Sequence, residues 1–166
     1  MGKISFSGLT EAELPEILRI YNYYVLNSTA TFHLEPLSEK EMRELVFFNH
    51  PRYRTFVIRD ESGILGYVLL CPFNKREAYS RTAEVTIYLR HDVTGKGVGG
   101  RALEFIEEFA RQNGIKVLIA IICAENIMST RLFQKNGYTE CARYRQVGEK
   151  FGRLLVTAAY EKILDY

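Results

Sequence analysis

The sequence predicts an α/β fold in which one mixed, mostly antiparallel sheet of about seven strands is flanked by about four helices. Three observations carry this expectation. Seven segments show period-two alternation or continuous β-branched runs, four amphipathic segments interrupt them, and two strand pairs are joined by turns short enough for hairpins. With 166 residues, 47% of them hydrophobic, the chain is long enough for one sizeable core, and a single domain over residues 1–166 is expected.

In chain order, Lys3 to Leu9 alternates apolar and polar residues like a half-buried strand, and Thr10 with Glu13 gives a capping-box helix start. That helix is expected to reach about Asn27, with Leu14, Ile17, Leu18, Tyr21, Tyr24 and Val25 on one face. Ser38 with Glu41 repeats the capping box and opens a helix expected to end near His50 and Pro51. Residues 28–37 between them read as an irregular loop, a place where substrate contacts are often carried. Thr55 to Arg59 and Ile64 to about Phe73 form an antiparallel hairpin around Asp60-Glu61-Ser62-Gly63.

A polar loop, Asn74 to Ser80, leads to Thr82 to Arg90, which puts Ala83, Val85, Ile87 and Leu89 on one face and Glu84, Thr86 and Tyr88 on the other. One face suits the core; the other is free for function. Val98 to Gln112 carries Ala102, Leu103, Phe105, Ile106, Phe109 and Ala110 as a buried stripe, closed by Asn113-Gly114. Lys116 to Cys123 is a continuous apolar run expected in a central strand, Ile127 to Asn136 is a short helix ended by Gly137, and Tyr138 to Val147 with Arg153 to Lys162 makes a last hairpin.

The 22 basic and 20 acidic residues nearly balance, which gives no push toward nucleic acid. The longest apolar runs are too short to span a bilayer, and the N-terminus lacks a signal-peptide pattern, so no membrane association and a cytoplasmic location are expected. Cys71, Cys123 and Cys141 fit reduced thiols, and the scattered His33, His50 and His91 predict no metal site.

The sequence Gly95-Lys96-Gly97-Val98-Gly99-Gly100 sits between a strand and a helix. A helix start offers unpaired N–H groups and partial positive charge, and glycines allow close approach, so the turn suits a phosphate; Lys96 and Arg101 add charge. A tight connection without a ligand is the alternative. A dinucleotide fingerprint would require GxGxxG after the first strand, and a Walker loop a Gly-Lys-Ser/Thr ending, and neither is present.

Gly97-Val98-Gly99 after the strand ending at Arg90, followed by an amphipathic helix and Asn126, resembles the GNAT acetyltransferase superfamily. Tyr21-Asn22, Thr29-Ala30-Thr31-Phe32, Arg76-Glu77-Ala78-Tyr79, Thr82-Ala83-Glu84 and Val147-Gly148-Glu149-Lys150-Phe151-Gly152 are similar to the phosphinothricin acetyltransferase family. The resemblance covers nearly the whole chain. It implies a GNAT-like fold, acetyl-CoA as co-substrate with its diphosphate on Gly95 to Arg101, a small-molecule amine as acceptor, and a homodimer. Thr94 stands where the superfamily often has Gln or Arg, so the loop relies on backbone amides. Phe133 replaces a Tyr or His and supplies no general acid, while Leu154 and Val156 replace the family's Trp and Asp and leave the acceptor open.

Acetylating an amine requires a proton acceptor. Glu84, on the polar face of the strand leading to the glycine-rich turn, is the candidate base, an ordinary exposed strand glutamate being the alternative. Backbone amides of Ile87, Tyr88 and Leu89 are candidates for holding an oxyanion and the pantetheine arm. The resemblance implies cofactor-arm contacts at Asn126 and Ser129; capping the short helix is compatible with that role. Tyr138 is a candidate proton donor to the leaving thiolate. Arg76 and Tyr79 suit a substrate carboxylate, or form a solvated loop, and Phe32 suits an apolar wall or the core. The acceptor expected is the α-amine of a small amino acid or analogue of the phosphinothricin or methionine sulfoximine/sulfone type. A polyamine, an aminoglycoside, a protein N-terminus, or a CoA-binding module without turnover are the alternatives.

Overall fold

A computed structural model describes residues 2–164. Its sheet has the order β1-β2-β3-β4-β5-β7-β6. The strands are β1 (Ser5–Gly8), β2 (Arg54–Asp60), β3 (Gly63–Pro72), β4 (Thr82–Leu89), β5 (Val117–Cys123), β6 (Thr139–Lys150) and β7 (Arg153–Ile163). The helices are α1 (Leu14–Asn27), α2 (Glu39–Val46), α3 (Val98–Gln112) and α4 (Ile127–Lys135). Every neighbouring pair is antiparallel except β4 and β5, which run parallel. Seven strands, four helices and one parallel pair agree with the predicted fold class.

Both capping boxes form. The Glu13 carboxylate accepts from the Thr10 N–H at 2.8 Å, but Glu11–Glu13 is a 3-10 turn, and α1 begins only at Leu14, with Pro15 in its first turn, where a missing N–H costs nothing. Ser38 Oγ accepts from the Glu41 N–H at 3.2 Å to start α2. That helix stops at Val46, short of the expected His50. The Thr55 hydroxyl donates to the Val46 carbonyl at 2.6 Å, capping it from β2, and Phe47 turns extended.

Two cores line the two faces of the sheet. On one, Val98, Ala102, Leu103, Ile106 and Ala110 of α3, with Phe133 of α4, cover alternate residues of β2 to β5 and β7, including Val68, Leu70, Ala83, Val85, Leu118, Ala120 and Ala158. On the other, Leu14, Ile17, Tyr21 and Val25 of α1, with Met42 and Val46 of α2, cover Val57, Tyr67 and Leu69. The second layer covers β2 to β4 and leaves Ile121 of β5 44% exposed, so β5 is roofed on one face only at that point. Among the described residues no helix is long and apolar enough to cross a membrane.

Candidate functional site

The site begins where the sheet comes apart. β4 pairs with β5 only through Thr82 to Glu84 against Val117 to Ile119. Beyond this, β4 stays with β3 as far as Leu89, while β5 follows β7 to Cys123. The separation leaves a cleft of about 400 Å³, walled by Val85, Thr86, Ile87, Tyr88 and Leu89 on one side and by Ala120, Ile121 and Ile122 on the other. Gly95, Gly97, Gly99 and Gly100 line it from the start of α3, and Asn126 and Ser129 from the start of α4.

The β4 wall is a bare strand edge. The Arg90 N–H donates to the Leu65 carbonyl at 2.7 Å, so alternation turns the amides of Leu89, Ile87 and Val85 the other way, toward the side β5 has left. Tyr88, between them, pairs across β3 with Tyr67, so its amide faces away from the cleft. The Tyr24 hydroxyl donates to the Leu89 carbonyl at 2.5 Å, which engages the acceptor and leaves the neighbouring N–H groups.

At the other end, Gly97 caps α3 with φ 81° and ψ 0°, a left-handed conformation that glycine adopts without strain. The first amide bonded back into the helix is that of Arg101, to the Gly97 carbonyl at 3.4 Å, so Val98, Gly99 and Gly100 have no earlier helical carbonyl to bond. A β-carbon on Gly99 would stand 2.8 Å from the Leu132 side chain, which marks how closely the turn lies on α4. Val98 is 1% exposed and its side chain belongs to the core, so only its backbone can serve a ligand. Lys96 and Arg101 are exposed and lie outside the walls of the cleft.

Glu84 is the last β4 residue paired with β5 and so marks the apex of the opening, just below the wall that begins at Val85. Burial raises its pKa above the usual 4.5, with no cation opposing the shift. Cys71 lies directly across on β3, and its thiol is pushed up to about 12 by burial, with the Glu84 charge adding to the effect. The face of β4 carrying Glu84, Thr86 and Tyr88 is less free than alternation suggests. Tyr88 is roofed by Tyr21, Tyr24 and Tyr67, with ring centroids 5.1, 5.5 and 5.8 Å away, and its hydroxyl donates to the Ala30 carbonyl at 3.0 Å.

The three expected acceptor contacts lie on two separate loops. Phe32 is 38% exposed, with its ring against Gly148 of β6. Arg76 and Tyr79 are exposed on the β3–β4 connection, which starts next to the Cys71–Glu84 pair, and Tyr79 packs edge-on to Phe73 at 5.7 Å. Tyr138 is 2% exposed, packed on Phe133 at 5.0 Å, and its phenol titrates far above the usual range because of burial and the adjacent Glu107 carboxylate. It is not part of the cleft wall.

Sequence reading missed several neighbours of the site. Arg131 and Lys135, one turn apart on α4, line the cleft beside Asn126, and their i, i+4 spacing behind an asparagine cap was the available signal. Glu125 accepts from Thr29 at 2.8 Å and from both terminal nitrogens of Arg153 at 2.9 Å, which joins the 28–37 loop to the β5–α4 turn and β7. No local pattern announces that triad. Among the described residues no group of three or more His, Cys, Asp or Glu side chains is placed to hold a metal ion.

Comparison with known proteins places this geometry. The model of the acetyltransferase (GNAT) family matches residues 17–138. An L-methionine sulfoximine/L-methionine sulfone acetyltransferase of Pseudomonas aeruginosa is 36% identical over 157 residues, covering 93% of this chain and 91% of that one. The crystal structure of a GNAT superfamily phosphinothricin acetyltransferase from Sinorhizobium meliloti in complex with AcCoA matches with TM-score 0.91 and 31% identity, over 97% of this chain and 88% of the other. A ribosomal-protein-alanine N-acetyltransferase structure from Brucella melitensis matches with TM-score 0.86 and 32% identity, over 96% and 99%.

Proposed function

Because the chain belongs to the acetyltransferase (GNAT) family, we propose that it moves the acetyl group of acetyl-CoA to the α-amine of a small amino acid or analogue, with Glu84 as general base. The protein is an acetyl-CoA-dependent N-acetyltransferase. The observation that carries the finer reading is the opening of the sheet above Glu84. Edge amides along one wall and a glycine-rich helix start at the mouth share one cleft, and Glu84 lies next in sequence to its Val85 lining, at the last β4–β5 pair, without itself lining it.

Acetyl-CoA supplies a thioester carbonyl activated toward amines and a diphosphate. The amides of Val98, Gly99 and Gly100 suit the diphosphate, and Arg131 and Lys135 add positive charge to the same cleft. The β4 amides of Ile87 and Leu89 suit an extended amide-bearing arm and hold negative charge on the carbonyl oxygen as it develops. Glu84 accepts the proton that the attacking amine must lose, and a raised pKa brings it closer to the working pH of a base. Phe32 provides an apolar wall, and Arg76 with Tyr79 receives the acceptor's carboxylate. Four apolar side chains exposed on the β6–β7 hairpin, Tyr144, Val147, Phe151 and Leu154, support a homodimer, and three free cysteines suit the cytoplasm.

Thiol release from acetyl-CoA, with L-methionine sulfone and phosphinothricin as acceptors, tests the reading. Glu84→Gln should lower turnover about 10²- to 10⁴-fold. Unchanged turnover removes Glu84 as base. The resemblance to the ribosomal-protein-alanine enzyme favours a second acceptor class, a peptide with N-terminal alanine. Activity with that peptide and with neither amino-acid analogue would establish the second class instead.

A further inference from the structure

The 28–37 loop is irregular, yet residues 29–32 are fastened from four directions, one of them the Tyr88 hydroxyl of β4 on the Ala30 carbonyl. Thr29 is tied to Glu125 at the β5–α4 turn. Thr31, 7% exposed, has its hydroxyl 2.5 Å from that of Tyr21, whose ring packs on Tyr88 in the cleft wall. Phe32 presses on Gly148, where a β-carbon would stand 2.5 Å from its ring. The remaining fastening is Lys150, whose ammonium donates to the Thr31 carbonyl at 2.8 Å.

Lys150 is 3% exposed, and no carboxylate pairs with it among the described residues. Its other close neighbour is the Phe151 ring, 5.1 Å from the ammonium. Burying an ammonium against one carbonyl and a ring face is costly compared with leaving it in water, so a residue chosen only for packing would be apolar. The contact is also specific in place. It grips the carbonyl directly before Phe32 from the strand that carries Gly148, so charge and close approach fix the same ring.

We propose that Lys150 is the positioning residue of the acceptor pocket, holding Thr31 and thereby the Phe32 ring at the distance from β6 that selects the acceptor. This rests on the reading of the protein as an acetyltransferase for a small amine. The acceptor enters beside a wall set by Lys150, while the acetyl-CoA side of the cleft is built mainly from β4, β5, α3 and α4 and meets the loop at Ala30.

Lys150→Met removes the donor at nearly constant volume, and Lys150→Arg keeps it. With L-methionine sulfone as acceptor, Lys150→Met should raise the acceptor KM on the order of tenfold. The KM for acetyl-CoA should rise far less than that for the acceptor, because the loop contributes only Ala30 to that side of the cleft; kcat should fall less than the acceptor KM rises, and Lys150→Arg should recover most of the loss. Hydrogen exchange gives a readout independent of any acceptor: amides of residues 29–33 should lose protection in Lys150→Met while those of β3 keep it. Gly148→Ala, which displaces Phe32 with Lys150 intact, should raise the same KM, and its effect should not add to that of Lys150→Met. If Lys150→Met does not fold, Lys150→Gln, with a shorter donor, takes its place in the same measurements. Wild-type protection of residues 29–33 in the variant overturns the proposal, as does an equal rise in both KM values. Wild-type inactivity toward L-methionine sulfone would fall on the acceptor reading alone, because the exchange measurement still decides the role of Lys150.

Discussion

Replacing Gly66 by alanine would place a β-carbon 2.3 Å from the Tyr88 carbonyl oxygen and 2.8 Å from Leu89 Cα. Both are backbone atoms of β4, so no rotamer change relieves the clash. To restore the 3.0 Å that real β-carbons keep, β4 must retreat by at least about 0.7 Å, the difference between 3.0 and 2.3 Å. The shift falls on the stretch whose Ile87 and Leu89 amides face the cleft. A misplacement of about 1 Å in a reacting constellation costs on the order of a hundredfold, so kcat/KM for acetyl transfer should fall roughly 30- to 100-fold. Overpacking also costs about 1–3 kcal/mol, and each kcal/mol lowers the Tm of a chain this size by roughly 2–4 °C. Gly63→Ala is the control, since Gly63 has φ +120° and nothing within 4 Å. It should lose about 1–2 kcal/mol through backbone strain while keeping wild-type kinetics. Thiol release and thermal melting of both variants decide the matter. Wild-type kcat/KM in Gly66→Ala, or an equal loss in Gly63→Ala, would refute the assignment of the chemistry to the β4 edge.

The acid limb of the kcat/KM profile should have an apparent pKa above 4.5, because Glu84, as the proposed base, must be ionised to accept a proton and burial raises its pKa. The folded state then holds that proton more tightly than the unfolded chain, so Glu84 withdraws stability as pH rises from 4.5 through the folded pKa; Glu84→Gln should therefore melt no lower than wild type at pH 8, and a profile that keeps its acid limb in this variant would place the base elsewhere. Lys162 pairs with Glu107 at 2.7 Å and also donates to the Asn136 carbonyl, and the Glu107 side chain is only 7% exposed. Lys162→Met should cost about 3 kcal/mol in urea unfolding, because it leaves that carboxylate only the more distant Arg111 guanidinium, 3.9 Å away, as a counter-charge, with much of the loss recovered in the double variant carrying Glu107→Leu. Of the three free cysteines only Cys141 is exposed, and although partial burial and the Glu161 charge raise its thiol, a thiol reagent at pH 8 should find one readily accessible group, removed by Cys141→Ser; a second group reacting as quickly at Cys71 would contradict its pKa of about 12.

What was legible in the sequence is what local chemistry decides. The expected span of α3 agrees with Val98–Gln112 because a left-handed glycine opens it and Asn113-Gly114 closes it, both signals within a few residues of the boundary. The end of α2 was not legible, because the group that caps Val46 is Thr55, nine residues away on a different element. Tyr88 read as part of a free face since alternation reports only which residues share a side, and its tyrosine roof comes from α1 and β3. The fastening of Thr31 was further out of reach, since Lys150 is 119 positions away, and the stretch Val147 to Gly152 that carries it marks a resemblance without announcing its partner.

The cleft itself has no sequence signal, and its position follows from competition between pairings. β4 is registered with β3 from Ala83 to Leu89, and β5 with β7 from Val117 to Cys123, whereas β4 and β5 share only three residue pairs. Each antiparallel partner holds its strand along nearly its whole length, and the shorter parallel pairing between them yields as the sheet twists. The point of yielding is Glu84 and Ile119. A carboxylate there is drawn partly out of water by the strands that remain joined below it, while the strands that part above it leave room for a reacting group. The burial that raises the pKa of Glu84 and the opening of the cleft directly above it therefore have one cause, the length of the β4–β5 register. Extending that register by a single pair would close the strand edge over Val85 and remove the lowest part of the cleft, so the catalytic reading of Glu84 depends on its being the last pair and not merely on its being a glutamate.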